Sequence, residues 1–247
     1  YGREMICGIA NYAMLHGPWT FYKEDFFYNY NKNSLKDLSW IKRWSADGVI
    51  CRDFHGMHKL KDLNIPVISV AAFEENIEEI YQVITDYKTI SEMAFNYFTA
   101  RGFKNFAFCG FADMSWSVRR NKSFAQIVQD AGYLINSFNS KSKRLSSWDK
   151  EYSSLINWLD SLPKPTAILC CNDDRGSDIL EACKSAGIKV PFEVAVLGID
   201  NDPQVCELTN PALSSIKLDT EKAGFLTAKL LDDLMSGKQV PKFPIIV

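Results

Sequence analysis

The sequence predicts an α/β protein folded as two lobes, each a parallel sheet flanked by helices, and three observations carry that expectation. Helical and strand periodicities alternate along the chain. Short apolar runs of strand length, GVIC, IPVISV, FAFCG, AILCC and VAVLGI, are bounded by Gly, Pro or polar residues. The alternation then restarts after an acidic, linker-like stretch, FEENIEEIYQVITDY. Compact apolar runs are the mark of strands buried on both faces, as in parallel sheets. A second series of them after a break implies a second sheet.

In chain order, Met5, Ile6, Ile9, Ala10, Ala13 and Met14 share one helical face, and that helix should stop near Gly17-Pro18. WTFYKE alternates like a strand, and a polar Asn- and Lys-containing stretch leads to a helix around residues 34–44. DGVIC and IPVISV read as buried strands joined by a short helical turn. Beyond the linker come a long amphipathic helix through SEMAFNYFTARGF, a strand at NFAFCG, a helix near 117–132, a strand at TAILCC, a helix near 174–186 and a strand at VAVLGI. A last amphipathic helix, with Ala223, Leu226, Ala228, Leu230, Leu231 and Leu234 among its apolar positions, ends near Gly237, and FPIIV has a strand's composition.

Composition narrows the function classes. A hydrophobic fraction of 47% with 23% charged residues is that of an ordinary globular chain, and no apolar run approaches a bilayer's width. A net charge of -2 gives no general attraction to phosphate backbones or membrane surfaces, so a DNA reader, if one is attached, lies elsewhere. The seven cysteines, at 7, 51, 109, 170, 171, 183 and 206, are odd in number and sit largely in apolar runs, which suits free thiols in a reducing compartment. Cys170 and Cys171 would point to opposite faces of a strand, and His16, His55 and His58 lack ligand spacing, so no metal site and no cofactor are expected. No secretory leader opens the sequence, which favours the cytoplasm, and the pattern begins within a helix, without an initiator Met, as a piece of a longer chain would. GxSxG, P-loop, HExxH and dinucleotide fingerprints are all missing. The acidic pairs in NDD and DND leave an enzyme acting on carbohydrates or nucleosides as an alternative, but the expectation is a binding protein and not an enzyme.

In open α/β sheets ligands settle beyond the carboxyl ends of the strands. Polar residues stand at those ends: Asp53 after GVIC, Arg119 and Arg120 after FAFCG, Asn172 and Asp173 after AILCC, and Asp200 after VAVLGI. Carboxylates and guanidinium groups can bind vicinal hydroxyls in pairs, and Trp116 or Phe73 can cover the apolar face of a sugar ring. Asn172 and Asp173 are equally suited to capping the next helix, and Asp200 to a turn. Arg119 and Arg120 read as opening a helix, where a cation is disfavoured unless something anionic or hydroxylated compensates it.

The order and spacing of these fragments resemble the effector-binding core of the LacI/GalR regulators, a type I periplasmic-binding-protein-like fold. The resemblance runs from YGREMICGIANYA through DGVI, IPVI, ARGF, FAFCG, AILCCND and VAVLGIDND to NPALSSI, essentially the whole chain. It implies three hinge crossovers, with an N-terminal lobe of residues 1–84 plus 217–238 and a C-terminal lobe of 85–216 plus 239–247. Arg120 looks like the family's sugar-binding arginine, Asn172 with Asp200 like its hydroxyl-binding pair, and Asp173 like the adjacent aspartate, free to contact ligand or cap its helix. Where many relatives place an aspartate after IPVISV, this sequence has Ala71 and Ala72, followed by Phe73 and Glu74. Within the group the chain is most similar to xylose-operon regulators that carry a C-terminal AraC-type DNA-binding domain. The resemblance therefore implies a cytoplasmic, homodimeric sensor that takes a sugar, a pentose foremost, between its lobes, contacts DNA only through a domain outside these residues, and meets no membrane. A periplasmic sugar receptor for transport or chemotaxis is the alternative of the same fold.

Overall fold

Val67, Ile68 and Ser69 are all buried, as a short strand covered on both faces must be, and this strand lies inside the first of two sheets. The computed structural model describes residues 2–22, 39–52, 57–70, 80–141, 148–240 and 245–246. Two compact units divide the chain, Tyr1–Thr85 with Asp219–Val247, and Asp86–Leu218. The chain opens with α1 (Gly2–His16), α2 (Ser39–Arg43), β1 (Val49–Cys51), a 3-10 helix (Met57–Leu63), β2 (Val67–Ser69) and β3 (Ile80–Ile84). The second unit is α3 (Tyr87–Thr99), β4 (Asn105–Phe111), α4 (Ser115–Asp130), β5 (Ile135–Ser140), α5 (Trp148–Ser161), β6 (Thr166–Cys170), α6 (Asp173–Ser185), β7 (Val194–Ile199), α7 (Pro203–Cys206) and β8 (Ser214–Ile216). The chain then returns to the first unit as α8 (Thr220–Met235) and β9 (Ile245–Ile246).

The first sheet has the order β1-β2-β3-β9 and the second β5-β4-β6-β7-β8, and every recorded pairing is parallel. Two parallel sheets flanked by helices are the type I periplasmic-binding-protein-like architecture that the sequence predicts. One boundary is corrected: residues 239–247 were expected in the C-terminal lobe. Instead Val83 pairs with Ile245 and Ile84 with Ile246, so β9 extends the first sheet, and no third crossover precedes it among the described residues. The reason is apolar, because Ile245 joins the cluster of Ile68, Val83, Leu230 and Leu231.

Several elements escaped the sequence reading. β3 lies inside the stretch read as a linker, where Ile80 and Val83 are buried while Tyr81 and Gln82 between them are half-buried. The strand β5, INSFNS, is the polar edge of its sheet, and β8 has only three residues. α5 was also missed, although Leu155 and Leu159 are buried in the core of its unit. In the stretch read as a strand at WTFYKE, Trp19–Tyr22 form no strand. Trp19 is instead tilted against Tyr12 with ring centroids 5.8 Å apart.

Helices α1 and α8 approach so closely because each carries glycine at the crossing. A Cβ at Gly8 would lie 1.9 Å from the Glu221 carbonyl oxygen, and one at Gly224 would lie 2.1 Å from that of Met5. Tyr12 donates its hydroxyl to Asp232 at 2.8 Å and Asn11 its amide to Glu221 at 2.7 Å, so polar contacts flank the glycine seam. Backbone cannot yield to a new methyl group as a flexible side chain can. Gly8→Ala is therefore expected to cost about 1–3 kcal/mol, seen as a lower urea midpoint at an unchanged slope.

All seven cysteines are free thiols; Cys7 is exposed, Cys51 half-buried and the other five buried. Burial pushes the Cys109 thiol up to about 12 and those of Cys171, Cys183 and Cys206 up to about 11. A thiol reagent should thus modify Cys7 first and Cys51 next in the native protein, with the remaining five reacting only on unfolding.

Candidate functional site

Three parallel strands of the second sheet, β4, β6 and β7, end side by side, and their carboxyl ends carry the polar residues singled out above. Position begins with a glycine: a Cβ at Gly110 would meet Ser117 Oγ at 2.5 Å and the Cys171 Cβ at 3.3 Å. Its absence lets α4 start tight against the sheet. Ser117 then accepts a hydrogen bond from the Phe111 amide at 2.8 Å, fastening the first turn of α4 to the end of β4.

That anchoring directs Arg120 inward. Arg120 is buried, 5% exposed, and donates from one terminal nitrogen to the Cys171 carbonyl at the end of β6. The other terminal nitrogen stands 3.4 Å from Asp200 Oδ1, beyond β7. The Trp116 ring lies 5.3 Å from the guanidinium carbon and meets Phe111 edge-on at 6.4 Å. The Nε of Arg120 is buried and has no hydrogen-bond partner, and the same holds for the Nε of Arg175. Burial raises the Asp200 carboxyl above the ordinary aspartate range, while the positive charge of Arg120 opposes the rise. The result is a guanidinium and a carboxylate held close, with donor capacity left over.

The helix-terminus argument applied to Arg119 and Arg120 needs correcting. Because α4 begins at Ser115, both stand in its second turn, where the dipole has largely faded, and Arg119 is exposed. Asn172 is the N-cap of α6: its Oδ1 accepts from the Arg175 amide at 3.1 Å while its Nδ2 donates to Asp174 at 3.1 Å. Asp173 is buried, and its carboxylate accepts from Ser215 Oγ and, at 2.7 Å, from the Asp202 amide. Arg120, Asp200, Trp116 and the Asn172 cap are thus brought together around Cys171, with Asp173 behind the turn. Asp53 and Phe73 lie outside the described residues.

One buried residue was missed. Arg175, 1% exposed, pairs with Glu151 at 2.8 Å and Asp178 at 3.2 Å, donates to the Ser140 hydroxyl oxygen at 2.6 Å, and has its guanidinium 4.7 Å from the centre of the Phe111 ring. Arg175 is the third residue of α6, and so is itself a cation in a first helical turn, the very situation that calls for compensation. That signal was in the sequence, attached to the wrong arginine. Among the described residues no three His, Cys, Asp or Glu side chains are grouped to hold a metal ion, and no helix is long and apolar enough to cross a membrane.

Removing Arg175 strands two carboxylates in the interior. Arg175→Met, which keeps most of the volume, should lose about 3–5 kcal/mol in denaturant unfolding, and adding Glu151→Gln should restore part of it.

The family described as periplasmic binding protein-like domain matches residues 95–247. The chain is 30% identical over 257 residues to the xylose operon regulatory protein of Haemophilus influenzae, covering 100% of this chain and 64% of that protein. Its counterpart in Escherichia coli K12 is 30% identical over 258 residues with the same coverage. The chain thus spans 64% of the length of these relatives. Among solved structures, a xylose-binding transcription activator xylR superposes with a TM-score of 0.84 at 27% identity, over 99% of this chain and 63% of that one. A periplasmic binding protein/LacI transcriptional regulator from Alkaliphilus metalliredigens, complexed with D-xylulofuranose, shares the fold with a TM-score of 0.74 at 20% identity, over 99% of this chain and 90% of that one.

Proposed function

The chain belongs to the periplasmic binding protein-like domain family, and from that premise we propose that it is the sugar-sensing domain of a transcription regulator, with a pentose, D-xylose foremost, as its effector. One observation carries the reading: Arg120 is buried beside a single carboxylate, Asp200 at 3.4 Å, at the carboxyl ends of parallel strands. A guanidinium balanced by one distant carboxylate keeps donors for an oxygen-rich partner. Sugar hydroxyls satisfy such a donor and can donate in turn to the neighbouring carboxylate. Trp116, already seated against Arg120, offers a face for the C–H side of the ring. Asn172 supplies further polar atoms beside Cys171. Asp53 and Phe73 remain proposed contacts on the resemblance alone.

The two relatives named as xylose operon regulatory proteins support the choice of sugar and the regulatory role. The whole protein then reads DNA through a domain other than this one, as a cytoplasmic homodimer matching paired half-sites. The sugar acts through its differential affinity for two arrangements of the regulator. Chemistry on the sugar forms no part of this role.

Calorimetric titration with a panel of pentoses and hexoses tests the assignment. D-xylose should bind saturably, and Arg120→Ala should weaken it by about 10- to 100-fold, the worth of lost hydrogen bonds to a charged group. If no sugar in the panel binds, or if Arg120→Ala leaves affinity intact, the assignment fails. Because burial raises Asp200, lowering the pH protonates it, removing a hydroxyl acceptor and the partner of Arg120. D-xylose affinity should therefore fall on the acid side of neutrality, at a higher pH than an ordinary carboxylate would dictate.

A further inference from the structure

Asp200 occupies backbone space that aspartate seldom visits. Its φ is 110° and that of the following Asn201 is 51°, two successive non-glycine residues in the left-handed half of the map. Such a turn persists only where its surroundings hold it. Here the holding group is identifiable. The Asp202 amide donates to Asp173 Oδ2 at 2.7 Å, and Ser215 Oγ donates to Asp173 Oδ1. Ser215 Oγ in turn accepts from the Asn201 amide at 3.0 Å, and the Asp200 amide donates to the Ile216 carbonyl at 3.0 Å. Asp173 is thus tied to two consecutive turn amides, one directly and one through a hydroxyl.

Room for this arrangement depends on Gly198, where a Cβ would stand 2.3 Å from Asp173 Oδ1. Asp173 is 2% exposed and its two oxygens are engaged with the turn. Burial raises its carboxyl above the ordinary range, against the lowering effect of Ser215 and the Asp202 amide. The same turn presents Asp200 to Arg120.

We propose that Asp173 is a positioning residue that does not touch the sugar: through Asp202 and Ser215 it holds the 200–202 turn in the left-handed form that aims Asp200 at Arg120 and at the ligand. This rests on the sugar-sensing reading for its ligand, but the lock itself can be examined without one. Amide exchange in the ligand-free, full-length protein should show protection at Asn201 and Asp202. Asp173→Ala should abolish it at both positions, leaving the amides of the β6 strand protected. Ser215→Ala, a milder change, should release Asn201 alone, and it decides the matter should Asp173→Ala fail to fold.

D-xylose affinity supplies the second readout. Asp173→Ala should weaken binding about tenfold or more in the wild-type background, with no further loss when Asp200 is already alanine, because the two act through one turn. Asp173→Asn, which keeps one acceptor, should fall between. Equal fold-losses in both backgrounds would mean direct contact with the sugar and overturn the proposal. So would unchanged exchange at residues 201–202, or a lowered melting temperature with affinity intact. Failure of the wild-type protein to bind D-xylose would sink the sugar reading alone, and the exchange result would still decide the lock.

Discussion

A guanidinium withdrawn from water has to be surrounded by oxygen, and the unit Asp86–Leu218 buries two of them at one end of a single sheet. Arg175 is compensated in place, by Glu151, Asp178 and Ser140. Arg120 has a carbonyl and one carboxylate oxygen, and each of the two guanidinium groups keeps an Nε without a partner. The contrast separates a strut from the proposed sugar contact. Two carboxylates balance Arg175 and tie it to neighbouring elements, whereas Arg120 has a single carboxylate at 3.4 Å.

The strut also supports Arg120. The Arg175 guanidinium lies over Phe111, whose amide anchors Ser117 and whose ring touches Trp116, and Trp116 lies against Arg120. A continuous series of contacts therefore links the Arg175 network, which includes β5, α5 and α6, to the first turns of α4. Glycine makes the close approaches affordable: Gly110 admits Ser117, and Gly198 admits the Asp173 carboxylate. A site built from strand ends and helix starts inherits the rigidity of the sheet, and that is what a small polar ligand needs if its hydroxyls are to meet several groups at once.

Much of this was legible in the sequence. The apolar runs FAFCG, AILCC and VAVLGI became β4, β6 and β7, and the polar residues that follow them stand at their carboxyl ends, as parallel topology demands. The dual suitability of Asn172 was also visible, and its capping role is realised. Less visible were β5 and β8, because an edge strand with polar alternation and a strand of three residues carry little periodic signal. The helix start before Arg120 was misplaced by two residues, enough to shift the electrostatic argument from Arg175, to which it applies, onto Arg119 and Arg120.

The sequence by itself determined the fold class, the alternation of elements and which residue types terminate the strands, because periodicity and turn chemistry are local properties of the chain. Tertiary structure alone decided which of those residues share a partner. Arg120 and Asp200 are separated by 80 positions and Asp173 and Ser215 by 42, and only the parallel registers of β4, β6, β7 and β8 bring them to one end. It also decided that β9 belongs beside β3, since pairing between strands more than 150 residues apart leaves no trace in either strand's own pattern. Burial has the same origin: Arg119 and Arg120 look alike in the sequence, and only the packing of α4 against β4 leaves one in water and the other inside.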